Sequence, residues 1–299
     1  RLYQHMKFLF VINPVSGDLD KRPFLEALRA QAHRYALEID CLWTKEEGDA
    51  ARIRERVAAF RPDRVAAIGG DGTFQLGATA LMEHNLPVGI IPMGSANGMA
   101  RELGLPEAPV AALQVFWLSQ HTPAMDVIAV DDAYYCFHFA DIGFNARLVE
   151  DYQEDEARGL KTYARYLLQE LPKQEPMRLH IEVDGRAIES QAYLAVLANA
   201  RRFGTGVLFN PEGDLFDGRF ELVLVEEITL GGLLKAGWSA IGDVDYGDLI
   251  KVHSCTALKI ELEQAATLQI DGEAIGSVRN LEAKLTPQAL PVIIEQRAN

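Results

Sequence analysis

Three times in its first hundred residues, the chain runs from an apolar, strand-length segment into a glycine-bearing turn and then into helix-like sequence. The turns are Asn13-Pro14-Val15-Ser16-Gly17, Gly69-Gly70-Asp71-Gly72-Thr73 and Pro92-Met93-Gly94-Ser95-Ala96-Asn97-Gly98. The strand segments before them are residues 8–13, 64–68 and 87–91, with a further strand at 37–43. Residues 21–36, 46–60, 73–83, 97–103 and 108–119 read as helices. Strands alternating with helices of this length predict a parallel sheet covered on both faces. In such a sheet all three turns fall at the C-terminal edge, where open α/β sheets bind ligands. Glycines let the backbone approach a phosphate closely, and N–H groups at a following helix start favour an anion. Ser16, Thr73 and Ser95 add hydroxyl donors.

Past residue 125 the rhythm changes. Runs of period two occupy 125–130 and 133–141, joined by an Asp131-Asp132 turn, and 177–183 and 186–198, joined by Asp184-Gly185. Further runs follow at 219–226, 257–263, 266–270, 281–285 and 292–295, and 158–171 reads as one long helix. Such runs separated by turn signals predict an antiparallel β-sandwich. The fold class is therefore an α/β N-terminal domain with a parallel sheet, residues 1–127, and a C-terminal antiparallel β-sandwich domain, residues 128–299. The last strand, 288–299, is free in this reading to pack back on the first domain.

Composition narrows the function. The chain has 299 residues and is 48% hydrophobic, enough for two domains with real cores. Its net charge of −14 argues against nucleic-acid binding, which needs basic surface to neutralise phosphates. A local basic patch around Arg158, Lys161, Arg165, Arg201 and Arg202 stays open. No charge-free apolar run reaches the length of about 18 residues that a transmembrane helix needs. No secretory leader pattern is present, and residues 1–5, ahead of Met6, read as a ragged leader. The expected location is the cytoplasm. Cys41, Cys136 and Cys255 lie far apart in apolar runs and read as buried, reduced thiols. The seven histidines form no zinc pattern.

The glycine turns match no Walker loop, no GxGxxG fingerprint and no protein-kinase signature. Asp71 between glycines repels phosphate, so it makes sense if a divalent cation bridges the two; a turn or helix-capping role is the alternative. Asp271-Gly272, alone, reads as a hairpin turn.

Together with DIGF at 141–144, ANARRFGTG at 198–206, NPEGDLFDG at 210–218 and DGE at 271–273, the ordered set NPVSG, GGDGT and PMGSAN resembles the diacylglycerol kinase catalytic-domain family. That family includes bacterial lipid kinases and sphingosine kinases, with NAD kinase and phosphofructokinase as distant relatives. The resemblance implies an ATP- and Mg²⁺-dependent lipid kinase that moves the γ-phosphoryl group of ATP to a lipid hydroxyl, on diacylglycerol or a related lipid alcohol. It implies ATP contacts at Asn13, Pro14, Val15, Ser16, Gly17, Thr44, Gly69, Gly70, Asp71, Gly72, Thr73, Phe74, Gln75, Ser95 and Asn97. Asp71 would serve the metal and the chemistry. Glu273 would be the catalytic base, with Asp271 the second choice. A structural Mg²⁺ would take the Asp217 carboxylate and the carbonyls of Asp214 and Arg219, and Asp126 would stand near a magnesium-water network. A lipid acceptor implies transient peripheral contact with a membrane, and a homodimer is left open. Phe137, Phe139, Phe144, Tyr163, Tyr166 and Phe203 either line a greasy channel or belong to the core.

The pattern breaks at one place. The family reads GT-x-N-D in the third loop, whereas this chain has Ser95 for Thr and Gly98 for Asp. Gln75 stands where Asn is usual. Lost carboxylate at Gly98 keeps two other readings in play: a kinase for a soluble acceptor such as NAD, and a non-catalytic nucleotide- or lipid-binding relative.

Overall fold

The computed structural model describes residues 6–17, 20–45, 47–143, 175–201, 210, 212–227 and 250–295. The predicted helix at 158–171, and with it Arg158, Lys161, Arg165, Tyr163 and Tyr166, lies outside the described residues, as do Phe144, Arg202 and Phe203. The chain divides into two units: one runs to Met125 and takes up the chain again from Gln288, and the other spans Asp126–Pro287.

In the first unit β1 (Lys7–Ile12), β2 (Glu38–Trp43), β3 (Arg64–Gly69) and β4 (Val88–Pro92) form a parallel sheet in the order β2-β1-β3-β4. The helices are α1 (Arg22–Arg34), α2 (Asp49–Phe60), α3 (Asp71–Leu81), α4 (Gly98–Glu102) and α5 (Pro109–Leu118). Alternation along β1 sorts the layers. Phe8, Phe10 and Ile12 pack with Phe24, Leu25 and Leu28 of α1 and with Leu113, Phe116 and Trp117 of α5. The rings of Phe8 and Phe10 meet those of Phe116 and Trp117 edge-on, with centroids 4.8–5.6 Å apart, the geometry that aromatic quadrupoles favour. Gln31 accepts the Trp117 indole N–H at 3.0 Å, so that layer also has its polar atom satisfied. Helices α2 and α3 pack on each other and on β1.

The second unit carries β5 (Ala124–Val130, entered from the first unit), β6 (Tyr134–Cys136), β7 (Phe139–Ile142), β8 (Met177–Val183), β9 (Arg186–Ala192), β10 (Leu194–Ala198), β11 (Phe220–Val225), β12 (Ile250–Cys255), β13 (Ala257–Ile270) and β14 (Glu273–Pro291, which passes into the first unit at Gln288). One path of strands runs β12-β11-β10-β7-β13-β14-β5-β6, and β8 joins β13 to β9. The first half of β13 pairs antiparallel with β8, and its last residues pair antiparallel with β7. Register shifts at Glu261/Ala266 and Leu268/Gln269 bend it between these partners, as bulges do, and this strand knits together the layers of an antiparallel sandwich.

Three hairpins turn on an aspartate. At Asp131-Asp132, Asp184-Gly185 and Asp271-Gly272 both residues have positive φ, between 46° and 87°, the signature of two-residue type I′ loops. Each leading carboxylate then reaches a neighbouring strand. Asp131 accepts the Glu282 N–H at 2.7 Å, and Asp184 accepts those of Thr256 and Ala257 at 3.0 Å.

Several sequence expectations need correction. The run 133–141 is two strands, parted at Phe137-His138, because the Asp271 carboxylate draws off the backbone N–H groups there. The run 186–198 breaks at Tyr193, whose N–H bonds Val225 instead. Conversely, 257–263 and 266–270 are one strand, continuous through its bulge. Residues 250–255, β12, form a strand that the pattern missed, since four of its six residues are polar or exposed. Residues 292–295 make a single parallel bridge, Val88 with Val292, instead of a strand.

The three cysteines are free thiols; Cys136 and Cys255 are buried and Cys41 is partly so. Among the described residues no helix is long and apolar enough to cross a membrane.

Candidate active site

The three glycine turns of the first unit follow β1, β3 and β4 at one edge of the sheet and lock together backbone to backbone. Asn13 donates its N–H to Ile68 at 3.1 Å, and Met93 donates to Gly69 at 2.8 Å. Ser16 Oγ lies 3.4 Å from the carbonyls of both Asn13 and Met93. A Cβ on Gly17, where φ is +63°, would stand 2.6 Å from the Met93 oxygen. A Cβ on Gly94 would stand 2.3 Å from the Gly70 Cα. Glycine is required at both places because no side chain can enter such contacts.

Within this cradle, Asn13 closes its own turn by accepting the Val15 N–H at 3.0 Å. Pro14 and Val15 form the exposed tip, Val15 being 76% exposed. Thr44 donates its N–H to Ile12 at 2.9 Å, which fixes it beside the start of the first loop. Asn97, with φ at +53°, spends its amide on both backbone groups of Gly94, each at 2.9 Å. Ser95 is exposed. Gly72 is exposed and Gln75 half-buried on the first turns of α3, while Phe74 is buried, so its ring belongs to the core. The Thr73 hydroxyl is buried with no hydrogen-bond partner. A close-packed glycine cradle, a helix start and an orphaned hydroxyl fit a phosphate chain.

Asp71 has a second task. Its two oxygens accept the N–H groups of Gly98 at 2.9 Å and Met99 at 2.8 Å. It therefore caps α4 from 27 residues away, a service that Asn97, the residue at the cap position, does not give. Gly98 lacks the carboxylate of the family pattern, and its backbone N–H holds Asp71 in place. A residue that sequence reasoning missed also stands here. Lys21, only 7% exposed, caps the first loop with Nζ 2.5 Å from the Ser16 carbonyl, and burial lowers its pKa. A lysine at a helix start carries no motif by itself; only its burial sets it apart.

In the second unit, the segment 214–219 folds over Asp126. Asp126 donates its N–H to Leu215 at 2.8 Å, and its carboxylate accepts the Gly218 N–H at 2.7 Å. Asp214 accepts the Phe216 N–H and Asp217 the Arg219 N–H, at 3.0 and 2.9 Å. Burial, and then the charges of Asp214 and Asp126, push the Asp217 pKa up despite that bond. The Arg219 guanidinium turns to Ser254 at 2.7–2.8 Å. So the structure brings Asp126, Asp214, Asp217 and Arg219 together and leaves negative charge gathered there. Among the described residues no three His, Cys, Asp or Glu side chains form a metal-binding group. A cation at this loop fits only as a hard ion on one carboxylate and backbone carbonyls.

The two acids of the β13–β14 turn differ sharply. Asp271 accepts the N–H groups of Phe137, His138 and Phe139 at 2.8, 2.8 and 3.0 Å, and the Cys136 thiol lies 3.7 Å away. Burial raises its pKa, and the three N–H groups hold it back. Glu273 is exposed, and its carboxylate makes no hydrogen bond among the described residues. Phe137 and Phe139 are buried beside this turn, which places them in the core.

A glycine-loop parallel-sheet unit followed by an antiparallel sandwich with an Asp-Gly-Glu turn is the architecture of lipid- and NAD-kinase-like proteins. Residues 7–130 match the model of the diacylglycerol kinase catalytic domain, and residues 140–294 match that of the YegS C-terminal NAD kinase beta sandwich-like domain. The chain belongs to the diacylglycerol kinase catalytic-domain family. It is 30% identical over 295 residues to the lipid kinase YegS of Escherichia coli K12, covering 94% of each chain. It is 31% identical over 232 residues to a diacylglycerol kinase of Staphylococcus haemolyticus, covering 75% of this chain and 68% of that one. A crystal structure of a diacylglycerol kinase from Bacillus anthracis superposes with a TM-score of 0.73 at 22% identity, over 97% of both chains.

Proposed function

We propose that this protein is an ATP- and Mg²⁺-dependent lipid kinase acting on diacylglycerol or a related lipid alcohol. The observation that carries the reading is the interlocked cradle of three glycine turns at one sheet edge, in a chain whose relatives are named lipid kinase and diacylglycerol kinase. In this reading the turns at 13–17, 69–73 and 92–97 hold the nucleotide phosphates through backbone N–H groups and the hydroxyls of Ser16, Thr73 and Ser95. Lys21 adds positive charge behind the first turn. Magnesium, when bound, neutralises charge on the phosphates and on the group in transfer. Asp71 would be the acid that serves it, and the Asp217 carboxylate with the Asp214 and Arg219 carbonyls would hold a separate structural ion.

Glu273 is the base. It takes the proton of the acceptor hydroxyl as that oxygen bonds to the γ-phosphorus and the bond to the β-phosphate oxygen breaks, releasing ADP. Asp271 positions the turn, since its oxygens are committed to three N–H groups. A lipid acceptor also requires transient docking on a bilayer, which liposome flotation checks.

The test is phosphoryl transfer from γ-labelled ATP with Mg²⁺ into a total lipid extract, with Asp71→Asn and Glu273→Ala as controls. Chloroform-soluble label that both variants abolish is the expected result. Label in water-soluble product would move the assignment to a soluble acceptor, and ATP binding without transfer would make the chain a non-catalytic relative.

A further inference from the structure

Strand β11 reads Phe-Glu-Leu-Val-Leu-Val, and Glu221 is its one charged residue. That side chain is only 5% exposed. Phe220, Leu222 and Leu224 alternate into the core. Glu221 therefore stands on the other face of the sheet, where its register neighbours are Ala198 on β10 and Ser254 on β12. A buried charge is a weak source of stability compared with well-packed apolar side chains, so stability alone does not account for it. Its partners show what it holds. One carboxylate oxygen accepts the Asn210 amide N–H, and the other accepts the Ser254 hydroxyl at 3.1 Å. The Ser254 hydroxyl oxygen in turn accepts the Arg219 Nε–H at 2.7 Å, and the Ser254 carbonyl accepts a second guanidinium N–H at 2.8 Å. Asp184 lies 3.6 Å from the same guanidinium.

Asn210 stands at the entry of the loop that carries Asp214 and Asp217, and Arg219 stands at its exit. Glu221 thus grips both ends, the entry directly and the exit through Ser254. The hold on the entry is close. Asn210 is fully buried, its carbonyl accepts the Gly213 N–H at 3.2 Å, and a Cβ on Gly213 would stand 2.4 Å from the Asn210 amide nitrogen. With that nitrogen on Glu221, the Asn210 Oδ1 is left buried without a hydrogen-bond partner. The neck of the loop therefore keeps an oxygen that its own hydrogen bonds do not use. Backbone carbonyls are placed by the path of the chain, and the groups that orient a metal's ligands set much of its affinity. We infer that Glu221 is the positioning residue of the cation loop: by tying Asn210 and, through Ser254, Arg219, it fixes the backbone path from Asp214 to Arg219 on which the ion's ligands sit. The inference rests on the reading of this loop as the seat of a structural magnesium ion, and adds what keeps the loop in shape for it.

The test strips the protein with a chelator, titrates it with MgCl₂ in the absence of nucleotide, and reads the melting temperature. Wild type should melt higher as Mg²⁺ is added, and Asp217→Asn marks the part of that rise that belongs to the loop. Glu221→Ala should need at least about tenfold more Mg²⁺ for the same rise, the loss expected when a group that orients a metal's ligands is removed. Glu221→Gln still accepts a hydrogen bond from Asn210 and should keep most of the affinity. Ser254→Ala, a mild change at an exposed position, should move the Mg²⁺ requirement in the same direction as Glu221→Ala, and it keeps the inference testable where the Ala variant fails to fold. A purely architectural role would lower the melting of the Mg²⁺-free variants and leave the Mg²⁺ concentration at half-rise unchanged; that result overturns the inference. A Gln variant as weak as the Ala variant also overturns it, because charge, and not the grip on the two ends, would then be the cause. Wild type that does not respond to Mg²⁺, or responds no more than Asp217→Asn, overturns the reading of the loop as a cation site, and this inference with it.

Discussion

The two carboxylates of one hairpin turn should fail in different ways when removed. Asp271 accepts three backbone N–H groups at 2.8–3.0 Å, and Asp271→Ala leaves those donors without an acceptor in the interior. Hydrogen bonds to a charged group contribute about 1.5–3 kcal/mol each. The burial that raises the Asp271 pKa takes part of that back, so the net loss is about 3 kcal/mol, in the range for breaking one side of a buried polar cluster. For a unit spanning Asp126–Pro287, each kcal/mol moves the midpoint about 2–4 °C, which gives a fall of about 6–12 °C. The Glu273 side chain is exposed and its carboxylate unbonded among the described residues, so Glu273→Gln should melt within about 1 °C of wild type. It should also lose about 10²–10⁴-fold in phosphoryl transfer, the usual contribution of a general base. Far-UV circular dichroism melts and the labelled-ATP assay on the same preparations read both quantities. If Asp271→Ala melts with wild type, the three hydrogen bonds are not holding the β6–β7 break; if Glu273→Gln keeps its full rate, the base has been misassigned.

Three further outcomes follow from the geometry. Gly94→Ala drives a Cβ to 2.3 Å from the Gly70 Cα; it should weaken ATP binding at least about tenfold while most of the helical signal survives, as calorimetric titration and circular dichroism will report. Gly98→Asp sets a second carboxylate beside Asp71, so it should melt lower than wild type without magnesium and recover at millimolar-range Mg²⁺ if the cation sits there; equal melting with and without the ion would remove Asp71 from the metal. Asp141 holds its proton to about pH 8 in the folded chain, against 3.8 for its ordinary value. Between those values the folded state binds more protons than the unfolded state, so this group makes stability fall as pH rises. Urea unfolding should show that slope flattened in Asp141→Asn, with the variant the more stable near pH 8.

The parallel sheet was legible because three of its four strands end in a glycine turn and strand- and helix-length segments alternate. The turns at Asp131, Asp184 and Asp271 were legible for the same local reason: Asp-Asp and Asp-Gly pairs tolerate the positive φ that a type I′ loop demands. Strand limits in the second unit were not, because they depend on partners distant in sequence. The break at Phe137-His138 is made by a carboxylate 133 residues away, and β13 runs on through a bulge that looks like a gap in alternation. The candidate site was read as a list of motif residues. Which of them touch phosphate and which hold the scaffold is a three-dimensional matter: Phe74 and Asp271 turn inward, Asp71 caps a distant helix, and Lys21 enters only through its burial.

The bridge between Val88 and Val292 has a consequence for the order in which the protein can be built. Strand β4 is the edge of the parallel sheet, and its Val88 carbonyl accepts the Ile293 N–H at 2.9 Å. On the ribosome, that edge is made some two hundred residues before its partner emerges. Until then the first unit carries an open strand edge, the kind that recruits other chains. Premature termination anywhere in the sandwich would release the first unit with its edge still bare, so truncated products of this chain should aggregate rather than persist as a smaller working domain.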